Sequence, residues 1–473
     1  MLDIPSPPIP LEEFRVSYET GFLPINIHSN KKLPLHRLSN PHFSPWEDVI
    51  SDLPQLIQTG EIRQKVLDLP VLSVENLDAN DEAEWQRAYL VLAFLTHAYI
   101  WGGEKAEDKL PPSISRPFLA VSAHLELPPC ATYAALNLWN FTTITNNNDN
   151  NENNIDLTNP DNIYTINSFT ATDDERWFLV VSVAMEACGA KMIRLVLDSI
   201  TTINTTTTAD GDNDGSTTES TSNRNTILTN LLNGMGECID ELGCILERMY
   251  ERNDPMVFYH QIRPLLAGSK NMGAAGLPNG VFYDTGDNQG EWHQYSGGSN
   301  AQSSLVQLID IALGIQHIAS GEVEGKTSKD KHTAFMKEMR NYMPGPHRRF
   351  LEYIASIANI RPYALSLPAS SDVRQAYNAV VMKLGGFRDK HIQIVSRYII
   401  LPASRPAPET SKYKDVKKNR VNLASATSDT AHSESNCAKP RKEKVFYGTG
   451  GTDLIPFLKA TRDETKAAAR FAD

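Results

Sequence analysis

Phe387-Arg388-Asp389-Lys390-His391-Ile392-Gln393-Ile394-Val395-Ser396-Arg397-Tyr398-Ile399-Ile400, closed by Leu401-Pro402, is the stretch on which the fold turns. Phe387, His391, Ile394, Val395 and Tyr398 follow one another at spacings of four, three, one and three, the repeat of one apolar helical face. Pro402 stops that helix, and Arg388, Lys390 and Arg397 fall away from the face. A histidine inside an apolar stripe has two readings. It is a core side chain whose ring nitrogens are both hydrogen-bonded, since an unpartnered buried imidazole carries a desolvation penalty. Or it is the single protein ligand of a metal, for which the proximal side of a haem is the leading case in a helical protein. The stretch alone leaves both open.

Working outward, the pattern stays helical. Positions 372–400 read as one helix, bent or broken at Gly385-Gly386. Upstream, apolar residues at three- and four-residue spacing predict a helical region from Trp46 to Ile57 and a buried helix over 81–101, ended by Gly102-Gly103. They continue over 125–141 (opened by Pro128-Pro129), 177–197, 228–249, 300–318 and 333–342, then from His347, with a short last helix from Asp453. His97, inside 81–101, is the rival to His391. No strand alternation shows after residue 80 and no internal repeat is found, so the fold class is mainly α. Three tracts are too polar to bury a core and are expected to be disordered: Asn/Asp-rich 142–159, Thr/Ser/Asn/Asp-rich 201–226 and Lys/Ser/Pro-rich 405–444. The first marks a boundary between a smaller N-terminal domain, 1–168, and a large helical domain, 169–473.

At 473 residues the chain is long enough for two sizeable cores. A net charge of −12 argues against nucleic-acid and anionic-membrane partners, which call for basic patches. The best apolar run, 88–101, is too short to span a bilayer and carries Thr96 and His97. The first residues show no secretory signal, which with the cysteine usage leads to the expectation of a reducing, cytoplasmic setting. The five cysteines are scattered without a CxxC pair, so neither a zinc ribbon nor a dithiol motif is supported. Asn140-Phe141-Thr142 and Asn204-Thr205-Thr206 match the glycosylation sequon by chance on this reading.

Five separated stretches resemble, in order, the indoleamine 2,3-dioxygenase family. Leu127-Pro128-Pro129 with Tyr133 comes first. Gly297-Gly298-Ser299-Asn300-Ala301-Gln302-Ser303-Ser304, followed by Asp310-Ile311-Ala312-Leu313-Gly314, looks like that family's distal loop and next helix. Met343-Pro344-Gly345-Pro346-His347-Arg348 resembles its MPPAHR turn. His391-Ile392-Gln393-Ile394-Val395 before Leu401-Pro402 resembles its proximal-ligand helix, and Gly448-Thr449-Gly450-Gly451-Thr452-Asp453 its C-terminal GTGGTD loop. The likeness covers nearly the whole chain outside the polar tracts.

The resemblance implies a two-domain helical fold with haem b between the domains. It also implies insertion of both atoms of O₂ across the indole 2,3-bond of L-tryptophan or a related indoleamine, giving N-formylkynurenine on the way to NAD synthesis. An electron donor would keep the iron ferrous. His391 would be the axial ligand, and Arg388 would pair with Asp310 beside the haem, a contact that is otherwise an ordinary interhelical salt bridge. Arg263 matches the arginine that grips the substrate carboxylate, a task suited to a planar two-pronged donor. Tyr133, Phe178 and Phe258 match aromatics of the indole pocket, though bare sequence makes all three core residues. Ser182 matches a distal serine by the substrate ring and Ser299 one at the haem edge; neither has a base at nucleophile spacing. Thr449 matches the residue that closes over the amino group; read bare, its glycine-rich string is a phosphate-type loop lacking the GK[ST] ending. Leu136, Asn137, Leu179 and Asn300 depart from the mammalian pattern, which leaves a haem- or O₂-binding relative with little turnover as the alternative. A cofactor-free helical scaffold is a third.

Overall fold

In the computed structural model, which describes residues 10–24, 33–144, 155–205, 217–315, 335–405 and 454–470, three short helices lead into one long one. The short ones are α1 (Ser44–Ser51), α2 (Leu53–Thr59) and α3 (Ile62–Leu67). The long one, α4 (Glu82–Trp101), starts at Asp81, whose carboxylate accepts from the Ala83 amide, and is buried continuously from Arg87 onward. A helix apolar on every side has to be surrounded. α1 to α3, α5 (Pro112–Leu125) and the turn around Leu265 surround it. Its single buried guanidinium, Arg87, is matched by both oxygens of Glu47 on α1, at 2.6 and 3.0 Å.

The second half is a layered bundle. α6 (Asp173–Asn204) opens on Thr172, whose hydroxyl accepts from the Glu175 amide, while Glu175 reaches back to the amides of Phe169 and Thr170. Thr172 is thus an ordinary N-cap, and Glu175 ties the preceding turn to the helix start. α7 (Thr217–Glu247) lies against α6 and against α11 (Asp372–Val395), the His391 helix. Between them in sequence come α8 (Ser304–Ala312), a helical stretch at 335–340, α9 (Gly345–Ile357) and α10 (Ile360–Ser366). α12 (Leu454–Ala468) packs along α11. One contiguous apolar core runs from Leu11 to Ala468, so residues on both sides of position 168 share it. The class is mainly α, and no helix among the described residues is long and apolar enough to cross a membrane.

Several sequence expectations are corrected. A hairpin forms after residue 80: β4 (Val281–Gly286) pairs antiparallel with β5 (Gln289–His293), and β4 also pairs in parallel with β1 (Lys109–Leu110). A second small sheet joins β2 (Thr142–Thr143) to β3 (Ile163–Tyr164). The hairpin escaped notice because β5 is exposed and does not alternate, and its turn is Asp287-Asn288, both at positive φ. The expected 125–141 helix is absent: α5 ends at Leu125, because a residue preceding a proline is steered out of the helical region and two prolines follow. Helix α11 runs unbroken through Gly385-Gly386; Gly385 is there to admit the Lys466 stem of α12, 2.7 Å from where a Cβ would stand. The 201–226 tract is helical at both ends, since Thr202 and Thr205 return their hydroxyls to carbonyls one turn back and let α6 continue to Asn204. Residues 206–216 lie outside the described residues, as do most of 142–159 and all but the first residue of 405–444. The expected helix from residue 300 begins instead at Ser304, behind a 3₁₀ turn at Asn300–Gln302.

Gly189 on α6 is the point where that helix meets Leu305 of α8; a Cβ there would collide with the leucine side chain. Gly189→Val therefore pushes α8 off α6 and is expected to lower stability by about 1–3 kcal/mol, read as a lower midpoint in thermal melts followed by circular dichroism.

Candidate active site

His391, His97 and His347 are all set among protein, and they differ in what their rings touch. The His97 ring is closed at both nitrogens: Nε2 accepts from the Ala131 amide at 3.0 Å, so Nδ1 carries the proton and donates to the Leu265 carbonyl at 2.9 Å. His347 contacts the Ser304 hydroxyl and a backbone group of Arg15. The His391 ring makes no hydrogen bond to any described residue and lines a cavity of about 1150 Å³, measured out to its mouth. An adjoining space of about 870 Å³ shares Tyr133, Asn300 and His391 as walls. Burial and the neighbouring Arg388 charge push the His391 pKa down to about 4, so the ring is neutral at pH 7 and keeps a lone pair to give. This decides between the two histidines: His97 is the core residue.

No group of three or more His, Cys, Asp or Glu among the described residues is placed to hold a bare metal ion. One neutral, unengaged imidazole on a cavity of this size fits a metal that brings its own ring of ligands, as a haem does.

Arg388 meets Asp310, the partner the resemblance implied. It is buried, and donates to both carboxylate oxygens of Asp310, at 2.6 and 2.7 Å, to the Thr461 carbonyl at 3.1 Å and to the Thr465 hydroxyl. Pointing away from one face of α11 does not mean facing water here, because α8 and α12 cover the flank that Arg388 occupies. Lys390 does stay near the surface, paired with Glu247 of α7 at 2.8 Å.

The walls follow from three π-helical turns, at Ala134–Leu138, Phe258–Ile262 and Ser396–Ile400. A turn widened to i→i+5 bonding sets its side chains out of the regular helical register, a feature recurrent at functional sites. The first supplies Leu136 and Asn137, the second Phe258 and the approach to Arg263, the third Tyr398. Phe178 of α6 meets Phe258 with ring centroids 4.8 Å apart, and Phe258 meets Tyr398 edge-on at 5.9 Å. The Tyr398 hydroxyl spans the carbonyls of Met249 and Asn253, which fixes that ring. Arg263 is buried at the same cavity, 5.8 Å from the Tyr259 ring, and desolvation lowers its pKa.

Of the residues singled out from sequence, Tyr133, Phe178, Phe258, Arg263, Ser299, Asn300 and His391 line the larger space. Ser182 and Arg388 line the adjoining one. Asp310 sits behind Arg388. Thr449 and the loop 448–453 lie outside the described residues. Among the departures, Leu136, Asn137 and Asn300 do form cavity wall, whereas Leu179 is buried in the core and lines neither space.

His97, read from sequence only as the buried rival to His391, also brackets the site, since its two hydrogen bonds fall two residues before Tyr133 and two after Arg263. One residue escaped the sequence reading altogether. Glu186 is buried, accepts from the Tyr133 phenol at 3.0 Å and from the Ser303 hydroxyl at 2.6 Å, and lines the adjoining space. Burial raises its pKa to about 7 against the pull of those two hydroxyls. Its spacing was the available signal: Phe178, Ser182 and Glu186 are four apart on one helix face.

The family model described as indoleamine 2,3-dioxygenase matches residues 10–468. An indoleamine 2,3-dioxygenase of Penicillium citrinum is 38% identical over 461 residues, covering 97% of this chain and 88% of that protein. One from Saccharomyces cerevisiae is 37% identical over 464 residues, 98% and 94% of the two chains. A 6-hydroxytryptophan 2,3-dioxygenase of Fusarium equiseti is 34% identical over 456 residues, 96% of each.

The buried imidazoles set a pH dependence. His97 is held to about 4 and His347 to about 3 by burial, against about 6.5 when unfolded. Between those limits the unfolded chain binds protons that the folded one refuses, so stability falls as pH drops from about 6.5 towards 4. Thermal melts across that window should steepen in this direction, and His97→Gln, which keeps a donor and an acceptor but does not titrate, should make the fall shallower.

Proposed function

The chain belongs to the indoleamine 2,3-dioxygenase family, whose members are haem-iron oxidoreductases acting on tryptophan-like indoles, and from that premise we propose that it cleaves the indole 2,3-bond of L-tryptophan with O₂. The product is N-formylkynurenine, the opening step of a kynurenine route towards NAD. The observation that carries the reading is the unengaged His391 imidazole on a cavity that also holds an aromatic wall and a buried guanidinium. In this reading haem b would be the cofactor, held by the His391 imidazole. The division into a smaller unit, 1–168, and a larger one, 169–473, belongs to the same proposal.

The haem supplies O₂ binding and activation when bound. Everything else falls to the chain. Phe178, Phe258 and Tyr133 hold the indole between aromatic faces and edges. Arg263 takes the carboxylate with two parallel hydrogen bonds, and its burial strengthens that grip by excluding water. Thr449, assigned from the sequence resemblance alone, serves the ammonium group in this reading. Ser182 and Ser299 would offer hydroxyls to the substrate from the walls of the two adjoining spaces. Arg388 and Asp310 hold the His391 helix in place, and Asn300 would place a polar amide on the same wall. Both oxygen atoms enter the product, so an external electron donor serves only to keep the iron ferrous. A Fusarium relative is named for 6-hydroxytryptophan; the test therefore includes substituted indoles.

Reduced, haem-loaded protein mixed with L-tryptophan in air should generate the N-formylkynurenine absorbance band, and a fully loaded protein giving none with tryptophan or with hydroxytryptophans overturns the reading. His391→Ala should lose the Soret band or its axial-ligand signature, while His97→Ala keeps it. Arg263→Ala should keep the haem spectrum and raise KM by about 100-fold, on the scale of a charge-assisted hydrogen-bonded pair.

A further inference from the structure

The rings that form the indole wall are not all fixed in the same way. Phe178 rides on the regular helix α6, and Tyr398 is fastened by its hydroxyl to two backbone carbonyls. Tyr133 has neither support. It stands at the start of the π-turn Ala134–Leu138, just after the Pro128-Pro129 corner. Side chains from elsewhere hold it: the Gln302 amide oxygen accepts from its backbone N–H at 2.9 Å, Glu186 accepts from its phenol at 3.0 Å, and the Ser303 and Ser182 hydroxyls lie within hydrogen-bonding reach of that phenol.

The same Glu186 oxygen also receives the Ser303 hydroxyl at 2.6 Å, and Ser303 is the residue that caps α8, accepting from the Val306 amide at 3.4 Å. Three segments distant in sequence thus meet on one carboxylate oxygen: the Tyr133 turn, α6 and the loop ahead of α8. A carboxyl oxygen has lone pairs for two such donors. The other oxygen, Oε2, is buried with no hydrogen-bond partner among the described residues. The carboxyl is therefore not there to satisfy itself. Its engaged atom is the one that fixes the substrate wall, and a buried acid that is half unsatisfied persists where its position matters.

We propose that Glu186 is a positioning residue for the substrate: through the phenol it holds the Tyr133 ring at the cavity, and through Ser303 it ties that ring to the loop carrying Ser299 and Asn300. It acts on the indole only by way of Tyr133. What Glu186 contributes is an oxygen acceptor for two hydroxyls, and its charge is not required. The proposal rests on the function given above, because it takes the substrate to be an indole lying against Tyr133.

The test compares Glu186→Ala, Glu186→Gln and Tyr133→Phe in the full-length, haem-loaded protein. Tryptophan affinity is read from the substrate-induced change in the visible spectrum, beside KM and kcat. Glu186→Ala should raise both the dissociation constant and KM by about tenfold, the equivalent of one lost hydrogen bond, with kcat changed much less. Glu186→Gln, which keeps the carbonyl acceptor, should stay within about twofold of the parent. Tyr133→Phe breaks the same bond from the other end and should reproduce the alanine variant, and combining Tyr133→Phe with Glu186→Ala should add little to either. An unchanged affinity in Glu186→Ala, a glutamine variant as damaged as the alanine one, or an additive double variant each overturns the proposal. Should Glu186→Ala fail to fold, an unchanged affinity in Tyr133→Phe does so instead. Absence of product from the parent with every indole sinks the proposed function, while the spectral affinities still report on the wall.

Discussion

The arrangement depends first on one buried ion pair, Arg388 with Asp310. The guanidinium faces both carboxylate oxygens, and the two side chains are 9% and 7% exposed. Isolated charges in such surroundings would be prohibitive, so the pair has to form or the packing around it cannot. Its position gives it its reach. Arg388 lies one turn before His391 on α11, Asp310 is on α8, and the remaining guanidinium donors go to Thr461 and Thr465 on α12. One side chain thus sets the distance between the imidazole helix, the helix behind the Ser299–Asn300 loop and the last helix of the chain. Removing one partner would leave the other charged and buried, at a cost of about 3–5 kcal/mol. The pair contributes less to net stability than to a single defined spacing of three elements around the cavity.

Regular and irregular helix are divided between two tasks. α4, α6, α7 and α11 are long and regular, and they build the core on which position depends. The long helices also give Phe178 and His391 to the cavity, and the rest of its wall comes largely from places where helices are widened into π-turns or interrupted by 3₁₀ turns. Such turns are less favourable than α-helix, so each is held from outside. Gln302 and Glu186 hold the first, the His97 ring ties the approach to Tyr133 to the exit from Arg263, and the carbonyls of Met249 and Asn253 hold Tyr398. The buried polar side chains cluster here because the irregular backbone leaves groups that only they can satisfy.

What could be read from the chain follows the same division. The α11 stripe was legible because periodicity along a regular helix reports directly on burial, and the order of short motifs pointed to the residues that gather at the cavity. Arg388 was read as lying off the apolar face and pairing with Asp310; its further contacts with α12 were not legible, because periodicity describes one face and α11 is covered on more than one. The hairpin at Val281–His293 was missed because its outer strand faces solvent and does not alternate. His97 could be recognised as buried but not as a clamp, since its partners, Ala131 and Leu265, are backbone groups 34 and 168 residues away. Glu186 was hidden for a related reason: an acid in an apolar helix has a meaning only once the hydroxyls it faces are known, and those come from two other segments.

The departures from the mammalian pattern sort themselves by geometry. Leu179 is packed into the core and touches neither space, so losing an aromatic there leaves the cavity wall as it was. Leu136, Asn137 and Asn300 all line the cavity together with the aromatic pair Phe178–Phe258, and Leu136 packs against Gly298, where a Cβ would strike it. Asn137 donates its amide nitrogen to the Tyr133 carbonyl at 3.3 Å, so its side-chain oxygen is the atom left over, buried and without a partner among the described residues. The carbonyl can only accept, which leaves no freedom to exchange the two amide atoms. Leu136, Asn137 and Asn300 thus alter the loop end of the cavity and leave its His391 end untouched. Under the function proposed above, differences confined to that end bear on which ring is accepted and how it lies.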